Sequence, residues 1–123
     1  MNIDHINIAA PAPLLDELRT FYCRVFDLEE GFRPDFGDRG HWLYSGERAL
    51  VHLSESSRHA PASGQGCLDH IAFQSDGLVG FRSRLDELGI DYSSYFIADI
   101  GMTQLFVRDP AGIRVEINFP GES

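Results

Sequence analysis

The chain has 123 residues, 43% of them hydrophobic and 24% charged, a size and balance that predict one globular domain with a real core. Its 10 basic residues are all arginine, against 19 Asp and Glu, for a formal net charge of −9. A field of that sign repels phosphate backbones and anionic lipid, so neither nucleic acid nor membrane is expected as a partner. The lack of lysine excludes Schiff-base catalysis through a side-chain amine.

The amino terminus, Met1-Asn2-Ile3-Asp4, has no basic stretch and no long apolar run, and predicts no signal peptide. No segment is apolar for long enough to span a bilayer. Two cysteines, Cys23 and Cys67, do not make a disulfide framework, so a reducing cytoplasm is the expected location.

In chain order, residues 2–10 alternate as a strand and end at Pro11-Ala12-Pro13. Leu14, Leu15, Leu18, Phe21, Tyr22, Val25 and Phe26 recur at helical spacing and predict an amphipathic helix over 13–27. Strands are expected near 30–36, 40–45 and 48–55, with turns at 37–40 and 45–47. Residues 56–66, rich in Ser, Ala, Gly and Pro, read as a linker at the midpoint. The order then repeats: a strand over 67–75, a helix over 77–89 stopped by Gly89, and strands near 92–97, 102–108 and 113–119. Asp109-Pro110-Ala111-Gly112 forms the last turn. The expected class is α+β, a single domain of two βαβββ modules, 1–55 and 67–119.

The duplication is also written in the residues. Asp4-His5-Ile6 returns as Asp69-His70-Ile71, and Leu50-Val51-His52-Leu53 is answered by Arg114-Val115-Glu116-Ile117. Side chains alternate along a strand, which puts His5, His52, His70 and Glu116 opposite the apolar residues that pack on the helices. One histidine on a polar sheet face means little, because half-buried sheets always have such a face. Four metal-capable groups at matched places in two halves point instead to one divalent ion. Two His and a carboxylate suit Fe(II), and imidazole-rich sites with one carboxylate also suit Zn, Ni, Co or Mn. Asn7, Gln104, Phe106 and Arg114 fall on the same inner face as candidate substrate contacts. Trp42 can line it by stacking, as can Phe36, Tyr44 and Tyr95. Asp4 and Asp69, by the same alternation, are expected to face away from the ligands.

Two βαβββ modules with His5, His70 and Glu116 in these strands resemble the vicinal oxygen chelate superfamily, which includes glyoxalase I, bleomycin- and fosfomycin-resistance proteins and extradiol dioxygenases. The stretch from Phe106 through Asp109-Pro110-Ala111-Gly112 to Glu116 matches its closing pattern. Phe21-Tyr22, Phe26-Asp27-Leu28 and Gly31-Phe32 look like its first-helix exit. The resemblance implies a cupped, largely antiparallel sheet with helices on the outer face, built within one chain or across a homodimer. It implies His5, His70 and Glu116 as ligands and His52 as a possible fourth. Glyoxalase I carries Glu at the position of His52, and methylmalonyl-CoA epimerase carries Gln.

A divalent ion that holds substrate oxygens acts as a Lewis acid. One expected chemistry is a lyase or isomerase reaction on a small oxygen-bearing substrate, with Glu116 or His52 as the proton-accepting catalytic group. The second is an Fe(II)-dependent extradiol-type dioxygenase. A third reading is a non-catalytic protein that binds a small molecule of the antibiotic type.

Overall fold

Period-2 alternation and two amphipathic helices organise this chain twice over. The structure is a computed structural model that describes residues 1–61 and 66–123. Its first unit runs Met1–Pro61 and its second Ala62–Ser123. The first contains β1 (Ile6–Ala10), α1 (Ala12–Val25), β2 (Glu29–Gly31), β3 (Gly40–Ser45) and β4 (Arg48–Glu55). The second contains β5 (Ile71–Gln74), α2 (Leu78–Glu87), β6 (Ser93–Ile97), β7 (Met102–Arg108) and β8 (Arg114–Pro120), with a 3-10 turn at Ala98–Ile100. Each unit is βαβββ, and the class is α+β as the sequence predicts.

Each unit has one four-stranded mixed sheet, ordered β1-β4-β3-β2 in the first and β5-β8-β7-β6 in the second. The first strand of each unit pairs with its last in parallel, and the other pairs are antiparallel. A parallel pair needs a crossover, which the helix and the two intervening strands supply. Helix α1 buries Leu15, Leu18, Phe21, Tyr22 and Val25, and its unit also buries Ile8, Leu43, Val51 and Leu53 from the sheet. Helix α2 buries Leu78, Phe81 and Leu85, with Phe81 edge-on to Phe119 at 5.4 Å. The opposite sheet faces are thereby left for polar side chains.

Helix α2 is entered at Gly77, with φ 74°, and followed by Gly89, with φ 67°. Both are left-handed conformations that glycine adopts without Cβ strain. The carboxylate of Glu122 accepts from the backbone N–H of Gly77 at 3.0 Å and of Leu78 at 2.9 Å, which satisfies donors that no residue inside the helix can reach. The expected turn at Asp109–Gly112 is present: buried Asp109 accepts at 2.9 Å from both the Ala111 and the Ile113 N–H.

The strand expected near 30–36 is cut to Glu29–Gly31. Beyond it Pro34 has no N–H to donate, Asp35 accepts from the Gly37 N–H at 2.9 Å, and Arg33 pairs with Asp38 at 2.9 Å. These local bonds hold a loop. Strands β1 and β5 start at Ile6 and Ile71, later than the expected 2 and 67. Of the expected linker, residues 62–65 lie outside the described residues. In its first part, Ser56 donates its N–H to the Ala10 carbonyl at 2.9 Å and its hydroxyl meets His59 Nδ1 at 2.7 Å. No helix among the described residues is long and apolar enough to cross a membrane.

Candidate functional site

Backbone register places the functional side chains. In the first unit, β4 lies between β1 and β3, so His52 has Asn7 opposite it on one side and Trp42 on the other. His5 precedes β1, two residues before Asn7, and its ring contact with His52 places it on this face. The rings of His5 and His52 stack with centroids 3.7 Å apart and planes inclined by 11°. Trp42 stacks on the second face of His52 at 4.0 Å and 15°. Asn7 donates to the Ser54 hydroxyl at 3.2 Å. His52 is 8% exposed. Burial, and next the charge of nearby His5, hold its pKa below the ordinary histidine value, because both disfavour the cationic ring.

The second unit repeats this layout with different chemistry. Glu116 on β8 has Ala72 opposite it on β5 and Phe106 on β7, and His70 lies two residues before Ala72. His70 Nε2 is 2.9 Å from Glu116 Oε2. Gln104 donates to the other Glu116 oxygen at 2.6 Å and to Asn118 at 3.1 Å. Arg114 lies 4.2 Å from the centroid of the Phe106 ring and donates to Asp69 at 2.7 Å. All nine site residues read from the sequence are therefore placed: His5, Asn7, Trp42 and His52 together in the first unit, and His70, Gln104, Phe106, Arg114 and Glu116 together in the second. Among the described residues, no three His, Cys, Asp or Glu side chains gather around a metal position.

Two residues play a part that strand alternation did not reveal. Asp4 meets His5 Nδ1 at 2.7 Å, and Asp69 meets His70 Nδ1 at 2.7 Å. Both aspartates were expected to face away. Residues 4, 5, 69 and 70 precede β1 and β5, so the two-residue period does not govern them and each carboxylate turns back onto the adjacent ring. The hydrogen bond to histidine is the main reason the carboxyl pKa of Asp4 and of Asp69 is lowered, with the Arg114 bond next for Asp69. The repeated Asp-His dipeptide was the signal. A carboxylate on Nδ1 fixes the ring and leaves Nε2 as the free donor, the arrangement of metal-binding histidines.

That arrangement tests whether a cation fits. With the Nδ1 proton given to Asp69, the Nε2 lone pair of His70 faces a buried carboxylate, and only a proton or a cation between them makes that favourable. Two donors bound cis to one ion at about 2.1 Å each stand about 3 Å apart, which the 2.9 Å separation matches. The second unit also has an open groove of about 590 Å³, walled by Phe106, Arg108, Arg114 and residues 89–93 and not by His70 or Glu116. His41, in contrast, lies off the site: it shares the apolar face of β3 with Leu43, its Nδ1 meets Glu30, and its Nε2 is buried without a partner.

The model of the Glyoxalase/Bleomycin resistance protein/Dioxygenase superfamily matches residues 2–117. A curated relative, Glyoxylase I 4 of Arabidopsis thaliana, is 27% identical, over 94% of this chain and 69% of its own length. A solved glyoxalase family protein from Bacillus anthracis is 27% identical, with a TM-score of 0.76 over 98% of this chain and 95% of its own. The fosfomycin resistance protein FosX from Listeria monocytogenes shares the fold, with a TM-score of 0.69 at 16% identity over 97% and 93% of the two chains. FosX has also been solved in complex with Mn(II) and sulfate.

Proposed function

Because this chain belongs to the Glyoxalase/Bleomycin resistance protein/Dioxygenase superfamily, we propose that it is a divalent-metal-dependent enzyme of lyase or isomerase type, acting on a small oxygen-bearing substrate. The observation that carries this reading is the His70 Nε2–Glu116 Oε2 pair, 2.9 Å apart and backed by Asp69 on one side and Gln104 on the other. His5, His70 and Glu116 are the proposed ligands, and His52 stands beside His5. The ion is Fe, Zn, Ni, Co or Mn, a range that the donor set allows and in which the Mn(II) complex of FosX falls. When bound, it supplies Lewis-acid stabilisation to an oxygen on which charge develops.

The side chains of this chain do the rest. Asp4 and Asp69 hold the two histidine rings, and Gln104 holds Glu116. Phe106, opposite Glu116 on the next strand, and Arg114 over its ring offer a flat apolar surface and a guanidinium that can orient a small substrate. Asn7 and Trp42 are the corresponding substrate contacts in the first unit. Glu116 is the proposed proton acceptor, and His52, kept neutral by burial, is the second candidate. The protein is proposed to work in the cytoplasm.

Elemental analysis of protein purified without added metal, followed by two assays, tests this reading. Turnover of methylglyoxal with a thiol supports the lyase or isomerase branch. Ring opening of catechols under O₂ with an iron-containing sample supports the extradiol-type alternative instead. A protein that takes up no divalent ion yet binds small aromatic ligands unchanged after chelation would replace both with a non-catalytic binding role.

A further inference from the structure

We propose that His52 is a positioning residue and not a metal ligand: clamped between His5 and Trp42, it fixes the plane of the His5 ring, and of these two rings only His5 can donate to an ion. This inference rests on the metal-dependent reading above and assigns a role that reading leaves open.

An imidazole nitrogen binds a cation through a lone pair lying in the plane of its ring, at about 2.0–2.1 Å. The rings of His5 and His52 are nearly parallel, inclined by 11°, with centroids 3.7 Å apart. An ion in the plane of His5 therefore lies off the plane of His52 by about the thickness of a ring, where His52 offers its π face. The two lone pairs cannot converge on one ion while the stack persists.

His52 is the ring least able to leave that stack. Trp42 covers its other face at 4.0 Å and 15°, and His52 is 8% exposed. It sits on the inner strand β4, with Asn7 and Trp42 opposite it on the two flanking strands, so the contact is built into the register of the sheet. Each aromatic contact of this kind is worth about 0.5–1.5 kcal/mol beyond the burial of its area. His5 differs in every respect. It precedes β1, its side chain is 37% exposed, and its Nδ1 is fixed by Asp4.

The second unit supplies the contrast. Phe106 occupies the place opposite Glu116 that Trp42 occupies opposite His52. Yet Phe106 meets His70 edge-on, at 6.1 Å and 88°, and nothing there stacks between His70 and the residue at the repeat position. Glu116 reaches His70 Nε2 directly. The same place in the repeat thus holds a ligand in one unit and a ring spacer in the other.

Two measurements on the full chain test the proposal. Wild type and the variants His52→Phe, His52→Ala and His5→Ala are titrated with Co(II), reading affinity by calorimetry and the ligand field by visible absorption. Circular dichroism confirms folding, and fluorescence of the single tryptophan, Trp42, reports the stack. Phe keeps a ring in the stack without a nitrogen, so His52→Phe should keep the wild-type spectrum and lie within about threefold of wild-type affinity. His52→Ala should weaken binding roughly tenfold, as loss of a residue that orients a ligand does. His5→Ala should abolish tight binding. Loss of affinity or a changed spectrum in His52→Phe, with wild type still binding, would overturn the proposal and leave the metal reading standing. Failure of wild type to bind any divalent ion would remove both. The second measurement needs no variant: of the 5 histidines, two should show the ¹⁵N shift of a zinc-bound imidazole in the wild-type protein with Zn(II). Three such shifts would overturn the assignment.

Discussion

The two Asp-His pairs show how much one carboxylate can set at the scale of a residue. Asp69 joins His70 and Arg114, each at 2.7 Å, so it fixes the ring that faces Glu116 and the guanidinium that covers Phe106. Asp69→Ala should therefore weaken divalent-metal binding by about 10- to 100-fold, the usual cost of losing a group that orients a ligand; competition against a chromophoric chelator measures it. The two cysteines offer a second test, unrelated to metal. Burial raises the pKa of the Cys23 thiol, and the Glu30 carboxylate adds to the effect, whereas Cys67 is exposed. Near pH 8, iodoacetamide should modify Cys67 first, and mass spectrometry of peptides from a time course would show the order. Because its folded pKa lies above the ordinary value, Cys23 favours the fold while it is protonated. That contribution is whole below the ordinary thiol pKa and fades as pH climbs through the raised one, where its alkylation should also quicken. The inner-face residues inside strands, such as Asn7, His52, Gln104 and Glu116, were legible because strand period is strict. The aspartates were misread because that period was carried past the strand ends, where no ladder enforces it.

At the scale of elements, what is local was readable and what is distant was not. Leu15, Leu18, Phe21, Tyr22 and Val25 declare the buried face of α1 through spacing alone, and Gly89 declares the end of α2. The cap of α2 comes instead from Glu122, 44 positions beyond Leu78, and no pattern around residue 77 could announce it. The 3-10 turn Ala98–Ile100 escaped for a related reason: it is held by tertiary neighbours, with Gly121 donating to the Gly101 carbonyl at 2.7 Å beside it. Glu122→Ala should destabilise the protein by about 1 kcal/mol, the typical cost of losing a helix cap, and more if the N–H groups are left dry. A fall in the urea midpoint at constant slope would confirm it. An unchanged midpoint would mean that water caps α2 equally well.

At the scale of the whole chain, duplication explains both the fold and the division of labour within it. Two βαβββ units of matched register twice bring a histidine that precedes the first strand beside a last-strand residue, with different outcomes: His52 stacks between rings while Glu116 faces His70. The sequence made the repeat visible but not this divergence, because whether a ring stacks depends on a cross-strand neighbour, Trp42 or Phe106, and on how that neighbour's ring is turned. The net charge of −9 draws cations toward the protein without selecting where they bind; selection is the role proposed for His5, His70 and Glu116. An ion bound only by the folded protein stabilises it by mass action, by about 2.7 kcal/mol at a free concentration one hundred times its Kd. A divalent ion should therefore raise Tm in proportion to the logarithm of its concentration, and a chelator should reverse the rise. On the proposed ligand set, His5→Ala and Glu116→Ala should each abolish most of that increment, because each variant removes one of its donors. Scanning calorimetry across a metal titration of the two variants decides the point: an increment that persists in His5→Ala would mean that the second unit binds the ion with its own groups.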